Sequence, residues 1–435
     1  MVSENKTQQI KILDSRTLVT RIILAVAIIT VIAFGWFAMR WQFGNMLAEL
    51  TLPNEANAAE IAKLAVNLAS SDPLSNWLFA STRREASMPG KFSESSGGFE
   101  TVVKLAPNDF RWWIELGRTL EQTEDAAEAE KAYLRAVELA PAYTYPHWQL
   151  GNFYLRQGRG DEAFRELQKA AANNAVYRDQ VFSIAWDYYE QDTAKLEQIA
   201  GDSPAVRAGL ARFYASKGRA EDSLRIWNSL SDESKQQNTA FAKVIAQGLY
   251  EKRSFRQSIE FVRQLGIDPN AKAETVQNGD FESPIGEAKD TYFGWKVSSL
   301  EKVDIKLDPT QKHEGTRSLR LSFNGYSDAT FFNLLQYVVV NPLTRYQLSF
   351  WIRTDNLKSG GTPVLEIFNA NDDKNIANSK PFPTGKTDWQ QIKMEFTAPA
   401  NAEAVGIRTT RAFCGYECPI FGTFWYDDFK LEKIK

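Results

Sequence analysis

The feature that most restricts this chain is an uninterrupted apolar run from Ile22 to Met39, IILAVAIITVIAFGWFAM, with no charged side chain in it. In hydrocarbon every backbone N–H and C=O must find its partner within the segment, so such a run can only be a helix. At about 1.5 Å per residue it covers about 27 Å, close to the roughly 30 Å of a bilayer core. The spacing therefore predicts a transmembrane helix over 22–39. Lys6, Lys11, Arg16 and Arg21 precede it, whereas Arg40 is followed by no Lys or Arg until Lys63. This asymmetry predicts a cytoplasmic tail over 1–21, a single pass through the inner (cytoplasmic) membrane, and a periplasmic or extracellular remainder. Trp36 and Trp41 suit the outer interface. A cleaved signal peptide is the rival, but the run exceeds an ordinary signal core and no small-x-small site follows it.

At 435 residues the chain exceeds one ordinary core, and two or three domains are expected. Its net charge of −3 lacks the clustered basic surface that a phosphate backbone would need, which excludes nucleic acid as a partner.

From residue 53 to 268 the sequence is helical in period and repeats itself every 34 residues. Trp113, Leu116, Gly117, Leu120, Ala129, Tyr133, Ala136 and Pro141 form one copy; Leu150, Gly151, Tyr154, Ala163, Leu167 and Ala170 continue it. Small residues stand where two helices approach closely, and large apolar ones fill the gap between successive pairs. The pattern resembles the tetratricopeptide repeat. That resemblance implies an all-α solenoid, about five repeats with an imperfect one at Tyr177–Ala200, and a groove for a protein partner. A plain spacer is the alternative. Trp113 is read as core and Trp112 as inter-repeat packing.

Gly266-Ile267-Asp268-Pro269-Asn270 ends the helical pattern, and alternation of period two follows. Leu319, Leu321 and Phe323, then Tyr346, Leu348, Phe350 and Ile352, then Ile392, Met394 and Phe396 alternate with polar residues. Residues 275–435 are thus expected to form an all-β sandwich or jelly roll. Period two also sets Trp351 on the face opposite to Tyr346 and Phe350, beside Gln347 and Arg353. An aromatic plate flanked by hydrogen-bonding groups suits a pyranose, whose CH face packs on the ring. Phe368, Glu366, Gln391 and Lys393 are read as extending this surface. The alternative leaves Trp351 packed under a loop. Trp295 and Trp389 are expected in the core or in turns.

Asn278-Gly279-Asp280-Phe281-Glu282, Gly294-Trp295, Gly315-Thr316-Arg317-Ser318-Leu319, the strand 346–353 and Trp425-Tyr426-Asp427-Asp428-Phe429 resemble, in order, the jelly-roll carbohydrate-binding modules attached to cellulases and xylanases. The resemblance implies glycan binding at 275–435. It also implies a structural calcium between the first and last strands, at positions matching Asp280, Glu282 and Asp427. A sandwich with a purely structural role is the alternative.

Cys414 and Cys418 are expected to close a small disulfide loop in an oxidising compartment. His147 and His313 are read as packing or surface residues rather than ligands. No catalytic motif is found, and adjacent Asp427 and Asp428 are expected to point to opposite faces of a strand, so no enzyme is expected. Together these readings describe a membrane-anchored scaffold that binds protein and glycan, in the manner of bacterial proteins of surface-polysaccharide export or assembly.

Overall fold

The apolar run is helical, and its helix is longer than the run itself. The computed structural model describes residues 17–86, 93–285, 291–328, 331–415 and 418–435, so most of the 1–21 tail lies outside the described residues. Helix α1 spans Leu18–Leu50, started by Thr17, whose hydroxyl accepts the Thr20 N–H. It continues past Met39 without a break.

Helices α2 (Ala58–Leu68), α3 (Pro73–Ala86), α4 (Ser93–Leu105), α5 (Phe110–Gln122), α6 (Ala126–Leu139), α7 (Thr144–Arg156), α8 (Gly160–Asn173) and α9 (Ala175–Tyr188) follow. Asp109 and Asp125 cap α5 and α6 by accepting the N–H groups of Arg111 and Glu128. The repeat signature has direct physical content here. A Cβ added at Gly117 would lie 3.0 Å from the Tyr133 ring, and one at Gly151 would lie 2.7 Å from Leu167. Tyr133, Phe153, Tyr154 and Ile114 fill the core between the α5–α6 and α7–α8 hairpins. Trp113 packs in that core; Trp112 packs on Trp77 with ring centroids 6.1 Å apart. His147 is a buried packing residue, held between the Pro141 carbonyl at 2.9 Å and Glu166 at 2.5 Å.

The chain divides into two compact units between Tyr188 and Tyr189. The division falls inside the imperfect repeat, not at the 268–275 change of period. The second unit holds α10 (Thr193–Ala200), α11 (Pro204–Ser216), α12 (Ala220–Asn228), α13 (Asp232–Gln237), α14 (Thr239–Glu251) and α15 (Phe255–Gln264) as well as the sandwich. Its strands are β1 (Lys296–Val297), β2 (Val303–Asp308), β3 (Ser318–Tyr326), β4 (Leu334–Val339), β5 (Arg345–Lys358), β6 (Pro363–Asn369), β7 (Asn375–Asn378), β8 (Gly385–Thr397), β9 (Ala404–Arg411) and β10 (Ile420–Lys433).

Two five-stranded sheets form, ordered β1-β4-β9-β6-β7 and β2-β3-β10-β5-β8, and each pairing between these strands is antiparallel. Leu319, Leu321, Tyr346, Leu348, Phe350 and Ile352 all face the buried space between them, as their alternation requires. Trp295 is in this core, stacked on Phe281.

Helices α14 and α15 are fastened to the first sheet, so the helical and β parts of this unit are in contact across the change of period. Tyr250 and Phe255 meet Tyr337 of β4 with centroids 5.8 and 5.2 Å apart. The Arg256 N–H donates to Glu403, its guanidinium donates to the Val340 carbonyl, and Arg253 pairs with Asp373 at 2.6 Å.

Candidate functional site

Strand β5 turns Gln347, Ser349, Trp351 and Arg353 to the outer face of the second sheet, while its alternate residues are buried. Register then brings neighbours from both sides. Trp351 stands between Asp427 of β10 and Gln391 of β8, Arg353 is opposite Trp425, and Ser349 is opposite Lys393. Gln347, Trp351 and Arg353 therefore share one surface with Gln391 and Lys393.

Phe368 and Glu366 do not join it. Both lie on β6, in the other sheet, and Phe368 is buried above Gly406, where an added Cβ would sit 2.1 Å from its ring. They belong to a second cluster in which the Arg408 guanidinium is held 4.2 Å from the rings of both Phe332 and Phe368 and pairs with Glu366 at 2.6 Å. Alternation places a residue on a face, but nothing in it names the sheet, and the same gap hid Phe332 and Arg408.

The Trp351 ring is not bare. His313 lies on it with centroids 3.8 Å apart and planes inclined by 18°. Trp389 meets the same imidazole edge-on at 5.9 Å, so it is an outer-face residue of β8 and not a core or turn filler. His313, Trp351 and Trp389 form a three-ring platform, half-covered by the loop that carries His313.

That loop is gripped from both ends by two of the residues expected to hold calcium. Glu282 accepts the N–H of Thr316 at 2.6 Å and of Arg317 at 3.1 Å, and the Thr316 hydroxyl. Asp427 accepts the His313 N–H at 2.8 Å. The Thr316 hydroxyl and N–H hold the Glu282 carboxyl below its ordinary range. Burial pushes the Asp427 carboxyl up to about 6, opposed by the His313 N–H and reinforced by neighbouring Asp428.

Asp280 is exposed, and the Glu282 N–H reaches it only at 3.4 Å. The expected trio is thus not one cage. Among the described residues, the ligating atoms that lie within 4.8 Å of one another are those of His313, Glu314 and Asp428. That group offers one imidazole nitrogen and two carboxylates, with His313 Nδ1 already 2.7 Å from Asp428, and so falls short of the 6–8 oxygens of a calcium site.

Asp427 and Asp428 also depart from simple alternation. The pairing with β5 shifts register after Asp427, and Asp428 has φ +53. Both carboxylates consequently reach His313, Asp427 at its N–H and Asp428 at Nδ1, 2.7 Å away. A β-bulge, invisible in a two-residue period, turns the second side chain back.

Cys414 and Cys418 form the disulfide, Cα atoms 5.9 Å apart. Arg411 anchors it by donating to the Cys418 carbonyl at 2.6 Å, the Asp328 carbonyl at 2.7 Å and the Ser359 hydroxyl at 3.0 Å. Tyr416 and Glu417 of this loop lie outside the described residues.

Residues 273–410 match the family model of a carbohydrate binding domain. Residues 111–143 match that of a tetratricopeptide repeat. The first match spans β1 to β8 and β9 up to residue 410, with the Trp351 platform, and the second spans the α5–α6 hairpin. Among curated proteins, the tRNA nuclease WapA of Bacillus subtilis (strain 168) is 27% identical over 184 residues, covering 39% of this chain and 7% of that protein. The tRNA3(Ser)-specific nuclease WapA of Bacillus spizizenii is 28% identical over 153 residues, covering 32% and 6%. The chain therefore spans less than a tenth of the length of these relatives. Among solved structures, one described as "CBM4 structure and function" is 15% identical with a TM-score of 0.28, covering 37% of this chain and 99% of its own. MamA 41-end from Desulfovibrio magneticus RS-1 is 20% identical with a TM-score of 0.26, covering 31% and 73%.

Proposed function

We propose that this chain is a non-catalytic scaffold anchored by residues 22–39 in the inner membrane, N-terminus in the cytoplasm. In this reading the helical repeats bind a protein partner and the carbohydrate binding domain holds a glycan, in the export or assembly of a surface polysaccharide. The observation that carries it is the outer-face platform of Trp351, Trp389 and His313 among Gln347, Arg353 and Gln391. Flat apolar rings offer packing to sugar CH groups, and the surrounding amides and guanidinium supply planar hydrogen-bonding partners. Because His313 takes one face of Trp351, Trp389 and the free edge of the platform are the surfaces left for a sugar ring.

The test is a glycan array probed with the purified full chain in detergent. Trp389→Ala and Trp351→Ala are expected to weaken binding about tenfold, in line with about 1–1.5 kcal/mol for an aromatic contact. Phe332→Ala, in the segment before β4, is expected to leave it unchanged; loss of binding in that variant alone would move the site to the Phe332–Arg408–Phe368 cluster. Binding to no glycan, with a protein partner still captured, would favour the protein-only assembly factor with a structural sandwich. Calcium forms a separate arm because the resemblance implies it. An unfolding midpoint raised by calcium and lowered again by EDTA would return that ion to the reading.

A further inference from the structure

Helix α1 does not end where a membrane would. Its last part, from Arg40 to Leu50, is folded into the first helices of the ectodomain. The Arg40 guanidinium donates to the Asn67 carbonyl at 3.0 Å and the Asn45 amide to Asp72 at 3.1 Å. Gly44 is pressed so closely on α2 that an added Cβ would lie 2.6 Å from the Ala69 methyl. Gly44 and Ala48 are the buried face here.

A different face of the same segment is apolar and uncovered. Met39, Phe43, Met46 and Leu50 are 58%, 50%, 38% and 74% exposed. They follow one another at steps of four, three and four, the spacing of a heptad seam, and Ile29, Ile32 and Trp36 continue it toward the N-terminus. Inside the apolar run the spacing means little, since almost every residue there is apolar. Beyond Arg40 it is selective, because Gln42, Asn45 and Glu49 occupy other positions. Lipid does not explain this outer part. Met46 and Leu50 lie about 10 and 16 Å past Met39 along the axis, whereas the headgroup layer adds only about 5–8 Å to the core on each side.

We propose that α1 pairs in parallel with α1 of a second copy of this chain, along Met39, Phe43, Met46 and Leu50. The occupant follows from the period and the topology. A 3.5-residue seam packs against a helix with the same seam, and two copies anchored with one orientation present theirs side by side and in register. The membrane also confines both copies to two dimensions, which raises their effective concentration. The proposal rests on the anchor reading. Because α1 runs unbroken into the ectodomain, its pairing would set two helical repeat arrays at a fixed spacing above the membrane.

The test uses the full chain in its own membranes with single cysteines under mild oxidation. Met46→Cys and Leu50→Cys are expected to give a disulfide-linked homodimer, at least fivefold more than Trp41→Cys on the opposite side of α1. Met46→Glu is expected to abolish crosslinking of Leu50→Cys while the chain stays in alkali-washed membranes. Absence of a homodimer from both seam cysteines with the chain still membrane-bound overturns the pairing and leaves the anchor standing. So does equal crosslinking at Trp41→Cys, or an adduct of a different mass. Recovery of the unmodified chain in the soluble fraction overturns the anchor, and the pairing with it.

Discussion

His313 lies flat on Trp351, with ring centroids 3.8 Å apart, and its Nδ1 is 2.7 Å from a carboxylate oxygen of Asp428. One imidazole therefore joins the centre of β5 to the bulge of β10. His313→Ala removes the stack and the hydrogen bond together. A loss of about 1–2 kcal/mol is expected, read as a lower urea midpoint of the purified chain, together with a change in Trp emission as the ring becomes wet.

Gly315 is the pivot of the loop that delivers His313. It has φ +65, and a Cβ there would lie 2.2 Å from the Glu282 carboxylate, which must keep its place to bind Thr316 and Arg317. Gly315→Ala is expected to destabilise by about 1–3 kcal/mol from backbone strain and displacement of that carboxylate. Thermal unfolding would show it, and a midpoint equal to wild type would mean that the loop yields freely.

Asp427 gives a pH dependence of definite sign. Its folded value of about 6 is above the ordinary carboxylate value of 3.8. Between these values the folded state keeps a proton that the unfolded state releases, so this group's contribution to stability falls as pH rises from 4 to 6. Asp427→Asn preserves an oxygen acceptor for the His313 N–H and removes the titration. Urea midpoints measured between pH 4 and 7 are expected to show less decline in the variant.

Lys296 has the opposite sign. Burial against Tyr250, whose hydroxyl accepts from Nζ at 2.5 Å, strips water from the ammonium and lowers it to about 8 from an ordinary 10.5. Between pH 8 and 10.5 the unfolded chain holds the extra proton, so stability from this group rises with pH over that window. Lys296→Met is expected to abolish the rise, and chemical denaturation at pH 8 and 10 measures it. Tyr250→Ala is expected to cost about 3 kcal/mol by emptying the nest between α14 and β4.

The disulfide closes a loop with a sequence separation of only 4. Chain entropy for so short a loop gives about 2 kcal/mol. Reduction is expected to lower the unfolding midpoint by no more than that amount and to leave far-UV circular dichroism unchanged, because Arg411 holds the loop by bonds to carbonyls that do not depend on the S–S bond.

The candidate surface was legible as far as period two reaches. Gln347, Trp351 and Arg353 share a face because consecutive side chains on a strand alternate, and β5 is regular through them. Phe368 was misplaced because the order of strands in two sheets is set by long-range pairing. The orientation of Asp428 was misread because a bulge inserts an extra residue without any change in composition. His313 reads in the sequence only as a packing or surface residue, since its stacking depends on a loop brought to β5 by carboxylates of Glu282 and Asp427, far apart in the chain.

By itself the sequence determined that a helical repeat gives way to strands near Gly266, that Leu319, Leu321, Tyr346, Leu348, Phe350 and Ile352 face inward, and that 22–39 is apolar enough to span a bilayer. These are local properties, carried by spacing and by the chemistry of neighbours a few residues apart. Only the tertiary structure decided that α14–α15 fasten onto the first sheet, that the carboxylates expected around calcium grip a loop, that an imidazole covers Trp351, and that α1 continues beyond its apolar run with Met46 and Leu50 exposed. Each of these depends on which distant surfaces meet, and the free energy of such meetings comes from burial and geometry that no short stretch of chain contains.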